Sequence, residues 1–190
     1  MTHLGTVTLE TERLILRDWD YSDADDLVDG LNNIDVSKWL VTAPFPYTKK
    51  HAESFIGYCI ENSVASPKRD TYEFAIELKS EKKVIGGTTI KRINLLHGTA
   101  GGGIWLNASY HGHGYGSEAF SKRVEFAFTV LKLRRLENGF LEGNQASIKM
   151  QEKLGYVIEG KRRKGFLCMA DGEIKDEYIT GLLIDEWKKH

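Results

Sequence analysis

Tyr110-His111-Gly112-His113-Gly114-Tyr115-Gly116-Ser117-Glu118-Ala119 is the stretch whose reading decides the fold. Three glycines alternate with bulkier residues, and an amphipathic helical pattern begins at once. The run before it, Gly103-Ile104-Trp105-Leu106, has the make-up of a strand. The order predicted is strand, glycine-rich turn, helix start. Glycine allows positive φ and removes the Cβ that would block a ligand. Successive amides then point into the turn, and the helix adds its positive end. Such a turn suits a phosphate or pyrophosphate; a glycine turn with no ligand is the competing reading. No lysine follows the last glycine, so the Walker pattern is absent. The spacing Gly-x-Gly-x-Gly is one residue short of the dinucleotide fingerprint.

Working outward, 190 residues predict a single domain over 1–190, long enough to bury a sizeable core. A net charge of −1 offers no global field to recruit nucleic acid. No apolar run reaches membrane-spanning length, and Met1-Thr2-His3-Leu4-Gly5 does not read as a signal peptide, so a cytoplasmic protein is expected. Cys59 and Cys168 stand singly in apolar surroundings, which argues against a disulfide framework or thiolate metal site. His111-x-His113 has no carboxylate or cysteine at ligand spacing, and no metal is expected.

Leu9 to Trp19 is predicted as a first strand, with Leu14 and Leu16 on one face. Ser22 is the expected N-cap of a helix whose first turn holds Asp23, Asp25 and Asp26. Thr48 is expected to cap a second helix reaching about Asn62. A meander follows: Tyr72–Leu78, Val84–Ile90 and Ala100–Leu106, with a turn at Lys82-Lys83. The helix after the glycine turn puts Ala119, Phe120, Val124, Ala127, Phe128 and Leu131 on one stripe. Arg134–Leu141 reads as a short strand. Asn144 caps a helix through Leu154, which Gly155 ends. Tyr156–Gly160 reads as a strand, followed by a hairpin of Gly165–Ala170 and Tyr178–Ile184 around Asp171-Gly172. A meander joined to βαβ crossovers implies an α/β, mixed α+β, fold with a mostly antiparallel sheet and helices on both faces.

His111-Gly112-His113-Gly114-Tyr115-Gly116 resembles the Gln/Arg-x-x-Gly-x-Gly/Ala turn of the GNAT acyltransferases, which holds the pyrophosphate of coenzyme A. The element order matches that fold over essentially the whole chain, including its sheet splayed in the middle. Several runs resemble one branch, the Rim-type N-terminal acetyltransferases of ribosomal proteins. They are Thr11–Arg17, Pro46-Tyr47-Thr48 with Ala52–Ile56, Ile85-Gly86, Asn144-x-x-Ser147 with Glu152–Tyr156, and Asp176 with Leu182-Leu183 and Glu186-Trp187. Three positions depart from the pattern. His111 replaces Gln/Arg, Gly101-Gly102 replace an acidic and an apolar residue, and Gln151 stands where many GNAT enzymes place a tyrosine acid, which the Rim-type branch often lacks, offering the serine, here Ser147.

The resemblance implies acetyl transfer from acetyl-CoA to a primary amine, a protein N-terminus or a small molecule such as a polyamine or aminoglycoside, by a monomer or homodimer. It implies a pyrophosphate anchored by the turn from His111 through Gly112, His113, Gly114, Tyr115 and Gly116 to Ser117. Ile104, Trp105 and Leu106 would pair with the pantetheine amides, and Asn144 would hold the cofactor where two strands part. Ser147 is the expected thiol-side donor; Glu73, Glu77 and Glu142 are candidate bases. The acidic run Asp18–Asp26 could draw in a cationic amine, or simply form a charged helix start. A catalytically weak acyl-CoA sensor is the alternative from another class.

Overall fold

The computed structural model describes residues 6–64 and 69–187. Eight strands form one sheet: β1 (Leu9–Glu10), β2 (Leu14–Arg17), β3 (Tyr72–Leu78), β4 (Lys83–Asn94), β5 (Thr99–Leu106), β6 (Arg135–Leu141), β7 (Val157–Leu167) and β8 (Ile174–Leu183). Their spatial order is β1-β2-β3-β4-β5-β6-β8-β7, and every neighbouring pair is antiparallel except β5 with β6. Among the described residues five helices cover it: α1 (Ala24–Leu31), α2 (Ile34–Ser37), α3 (Lys49–Val64), α4 (Tyr115–Thr129) and α5 (Gln145–Leu154).

Alternation along the strands sorts the two faces. Leu14, Leu16, Phe74, Ile76, Ile85 and Ile90 pack with Phe120, Val124, Ala127 and Phe128 of α4 and Leu154 of α5. Ala75, Val84 and Trp19 pack on the opposite face with Leu27 and Leu31 of α1 and Ala52, Ile56 and Cys59 of α3. The predicted stripe of α4 is buried except for Leu131, which is partly buried at the helix's end.

Three local expectations are corrected. The first predicted strand is a hairpin: Leu9 pairs with Leu16, and the chain reverses at Thr11. The Thr11 amide donates to Leu14 O (3.0 Å), and the Leu14 amide donates to Thr11 Oγ1 (2.9 Å). A threonine side chain thus closes a turn that strand propensity cannot foresee. Ser22 is not the N-cap: Asp20 caps a 3-10 turn over Tyr21–Asp23 in a reciprocal box with Asp23, and Asp23 is itself the N-cap position of α1. Finally, Tyr156–Gly160 and Gly165–Ala170 are not separate strands. Val157–Leu167 is one edge strand with register irregularities, and its partner starts at Ile174, earlier than expected. The intervening Lys161-Arg162-Arg163-Lys164 obscures it, yet an edge strand tolerates such charges; Arg162 pairs with Glu177 and Lys161 with Asp176 and Glu142.

β5 and β6 lie side by side only at Thr99–Gly101 and Arg135–Glu137. Beyond that point β5 keeps only β4, and β6 keeps only β8, so the sheet opens. Arg123 of α4, 2 % exposed, sits at the fork. Its Nη1 donates to Thr89 O (2.8 Å) and Gly103 O (3.4 Å). One guanidinium thereby ties β4 to β5 beside the fork. Gly102 makes the space, since a Cβ there would collide with both Arg123 Nη1 and Thr89 O.

Candidate active site

The glycine turn follows β5 and opens α4. Asn107 Oδ1 accepts from Ser109 N (3.0 Å), fixing a single 3-10 turn over Ala108–Tyr110. Gly112 (φ +80) and Gly114 (φ +83) then take the left-handed conformation, and Gly114 is the N-cap of α4. The first intrahelical bond runs from Glu118 N to Gly114 O (3.1 Å). The amides of Tyr115, Gly116 and Ser117 therefore lack helical partners, as those of any first turn do. No heavy atom lies within 4 Å of where a Gly112 Cβ would stand, so the cradle is open. This concave set of free amides at a helix N-terminus fits a pyrophosphate. His111 Nε2 lies 3.0 Å from Leu106 O. A carbonyl only accepts, so Nε2 carries the proton and the imidazole braces the turn against the strand it leaves. His113 stacks on Tyr115 at 5.8 Å and 20°.

A second brace comes from the β1–β2 hairpin. Glu118 accepts from Thr11 Oγ1 (2.5 Å), Arg13 N (3.0 Å) and Arg13 Nε (2.7 Å), and Arg13 also donates to His113 O (3.0 Å). The Arg13 guanidinium lies 4.4 Å from the Tyr115 ring centroid. Sequence reasoning placed Thr11 and Arg13 on a strand and missed this contact, because the partners are more than a hundred residues apart. Burial pushes the Glu118 carboxyl up, but the bonds from Thr11 and from the Arg13 amide and side chain outweigh it and hold the pKa low. A depressed carboxylate stabilises above its unfolded pKa, and the contribution is lost as pH falls through the folded value. Glu118→Ala is therefore expected to cost about 2 kcal/mol at pH 7. Urea unfolding checks it: the gap from wild type should be full at neutral pH and narrow as pH falls below the ordinary glutamate value of about 4.3. A gap that does not narrow on acidification contradicts the charged brace.

A cavity of about 460 Å³ runs from this turn into the fork. Ile104, Trp105, Leu106, His111, Gly112, Gly114, Tyr115, Gly116 and Ser117 line it on the β5–α4 side, and Asn144, Ser147 and Met150 on the α5 side. Of the expected cofactor residues only His113 is absent from the lining, its ring lying against Tyr115. The β5 edge from Gly102 to Leu106 faces the opening without a strand partner, as a pantetheine arm requires. Asn144 caps α5 by accepting from Ser147 N (3.1 Å). That uses its oxygen and leaves its NH₂ without a protein partner among the described residues.

Asp35, Val36, Trp39 and Leu40 also line the cavity. Trp39 reaches across to the β6–α5 turn, and a Cβ on Gly143 (φ +92) would touch its ring at 3.5 Å. The tip of the β7–β8 hairpin holds this wall: Met169 N donates to Val41 O (3.2 Å), and Lys175 Nζ donates to Lys38 O (3.0 Å). The ammonium groups of Lys38 and Lys175 lie 5.6 and 5.5 Å from the Trp39 ring centroid.

The candidate bases separate in space. Glu73 is half-buried on β3, in register with Thr89 of β4, which is in register with Gly103 of β5. All three project to the α1–α3 face. The space over Gly103 is open, with nothing within 4 Å of where a Cβ would stand. Burial raises the Glu73 pKa, against the opposing pull of Thr89 and Lys91. Glu77 is bonded to Arg17 Nε (2.6 Å). Glu142 is exposed and accepts from Lys161 Nζ (2.8 Å) and Tyr178 OH (3.3 Å). The acidic run is used by the fold: Asp18 pairs with Arg69, Asp23 with Arg17, and Asp25 with Lys49. Asp20 caps the turn before α1, and Asp26 accepts from Val84 N. Among the described residues no cluster of three or more His, Cys, Asp or Glu side chains could hold a metal, and no helix is long and apolar enough to cross a membrane.

An open fork in a mostly antiparallel sheet, with an amide-lined turn at one end, defines an acyl-CoA-binding transferase. Residues 13–157 match the Acetyltransferase (GNAT) domain family, and the chain belongs to it. It is 32% identical over 180 residues to the uncharacterized N-acetyltransferase p20 of Bacillus licheniformis, covering 95% of this chain and 98% of that one. The ribosomal-protein-S5-alanine acetyltransferase of Vibrio fischeri superposes with a TM-score of 0.75 at 22% identity, over 96% of this chain and 99% of that one. The spermidine N-acetyltransferase of Vibrio cholerae, solved with CoA and spermine, gives 0.76 at 20% identity, over 93% and 98%. The protein is an acetyl-CoA-dependent N-acetyltransferase.

Proposed function

We propose that the acceptor is the N-terminal amine of a polypeptide. The observation that carries this reading is the charge at the acceptor end of the cavity. Trp39 is flanked by the Lys38 and Lys175 ammonium groups, and the nearby carboxylates are already paired: Asp35 with Lys38, Asp171 with Lys175, Asp176 and Glu142 with Lys161, Glu177 with Arg162. A polyamine carries several ammonium groups and needs unpaired carboxylates to replace its hydration. A polypeptide N-terminus carries one, with an α-amine pKa of about 7.7–8.0, so much of it is already neutral near physiological pH.

When bound, acetyl-CoA supplies an acetyl thioester whose C–S bond breaks as the amine's C–N bond forms. The amides of the glycine turn and α4 hold the pyrophosphate, the free β5 edge orients the arm, and the Asn144 NH₂ faces the fork. Glu73, two strands from β5, accepts the ammonium proton through water over Gly103. Ser147 donates a hydrogen bond to the departing sulfur. A thiol of pKa about 8.5 leaves adequately as thiolate, so this donor assists without being obligatory.

Thiol release with acetyl-CoA and a set of acceptors tests the reading: peptides with free or blocked N-termini, spermidine and an aminoglycoside. Free-N-terminus peptides should exceed spermidine in kcat/KM by at least about tenfold, or about 1.4 kcal/mol. Spermidine as the best acceptor would replace the peptide reading. Saturable acetyl-CoA binding with no amine-dependent release would mark the protein as a sensor.

A further inference from the structure

Gln151 stands in α5 where many GNAT enzymes place a tyrosine acid, yet it is 2 % exposed and does not line the cavity. Its neighbours fix its amide. Nε2 points to Gly139 O (3.5 Å), which only accepts, so the nitrogen belongs on that side. Oε1 accepts from Thr180 Oγ1 (2.6 Å), and Thr180 is also 2 % exposed. Nε2 donates to Ser147 Oγ (2.9 Å). Ser147 therefore receives a hydrogen bond on its oxygen from behind. Among the described residues its hydroxyl proton has no protein acceptor, and Ser147 lines the cavity.

We propose that Gln151, oriented by Thr180, is a positioning residue that commits the Ser147 hydroxyl to donate into the fork. The chain runs one way: Thr180 donates to Gln151, and Gln151 donates to Ser147. A hydroxyl has one proton. With a lone pair of its oxygen occupied by Gln151 Nε2, that proton is left to point into the cavity Ser147 lines, where the departing sulfur would lie. Polarisation along the chain sharpens Ser147 as a donor without supplying a proton of its own. The inference rests on the reading of Ser147 as the sulfur-side donor, and the experiment separates the two.

The experiment measures kcat, acetyl-CoA Kd and melting temperature for Ser147→Ala, Gln151→Met, Thr180→Val and the double variant Ser147→Ala/Gln151→Met. Ser147→Ala should lower kcat roughly 10- to 100-fold. Gln151→Met should lower kcat about tenfold with Kd unchanged. Thr180→Val keeps side-chain volume and frees the amide to turn, and should lower kcat about threefold. The double variant should be no slower than Ser147→Ala alone, because Gln151 has nothing left to orient. A merely structural glutamine would lower melting temperature and raise Kd together and slow the Ser147→Ala background as much as the wild type. Either of those results overturns the proposal, as does full kcat in both Gln151→Met and Thr180→Val. An unchanged kcat in Ser147→Ala would instead remove Ser147 from the chemistry and the positioning role with it.

Discussion

Gly114→Glu is expected to yield a folded protein that no longer binds acetyl-CoA. Gly114 sits at φ +83 as the N-cap of α4, between amides that have no helical partners. A side chain in that conformation costs on the order of 1–3 kcal/mol. The larger effect is electrostatic. A carboxylate at the cradle would repel a bound pyrophosphate; two like unit charges about 4 Å apart repel by roughly 4 kcal/mol at an effective dielectric of 20. Arg13 Nη2 stands 3.4 Å from where the new Cβ would lie, but Glu118 already holds that guanidinium at 2.6 Å. Calorimetry should show affinity reduced at least about 100-fold, corresponding to some 2.7 kcal/mol. Gly114→Ala, which adds strain without charge, should fall between the two. Wild-type affinity in Gly114→Glu would mean that the turn is not the pyrophosphate site.

The second large effect is expected for Glu73→Gln, a fall in kcat/KM of roughly 10²-fold at neutral pH. Burial raises the Glu73 pKa, so the carboxyl keeps its proton to a higher pH than an ordinary glutamate. As a base it must lose that proton, so activity should rise with pH through a step above about 4.3. The step should vanish in Glu73→Gln. The sign for stability is opposite to that of Glu118. A carboxyl whose folded pKa is raised destabilises the fold once ionised, above its unfolded pKa. Glu73→Gln should thus be at least as stable as wild type at pH 7, which separates lost chemistry from lost structure. If Glu73→Gln keeps full activity, the amine is deprotonated elsewhere, and the open space over Gly103 serves water alone.

The parts of this molecule that were legible in the chain are those set by neighbours in sequence. The glycine spacing at 112, 114 and 116, the stripe of α4, the Asn144 cap and the Gly155 stop each rest on backbone conformation or periodicity within a few residues. All appear in the structure: Gly112, Gly114 and Gly155 at positive φ, Asn144 bonded to Ser147 N. The lining of the cavity on the β5–α4 side follows from them, because one turn carries most of it.

Tertiary structure alone decided what long-range packing builds. Glu118 draws Thr11 and Arg13 onto the glycine turn, Arg123 fills the room vacated at Gly102, and Thr180 orients Gln151. None of these pairs has a local pattern, since each joins residues from distant strands and helices whose meeting depends on the sheet order. The departures from the family pattern at Gly102 and Gln151 read in the chain as missing chemistry. In the fold they are occupied positions: one makes space for a buried guanidinium, the other carries a directed hydrogen bond. The same holds for the acidic run at Asp18–Asp26, where charge composition suggests a lure for cations and the fold gives each carboxylate a named partner or a cap to form. Charge and residue type belong to the sequence, but whether a polar group is free to act depends on what the folded chain places beside it, because a buried polar group must find a partner there.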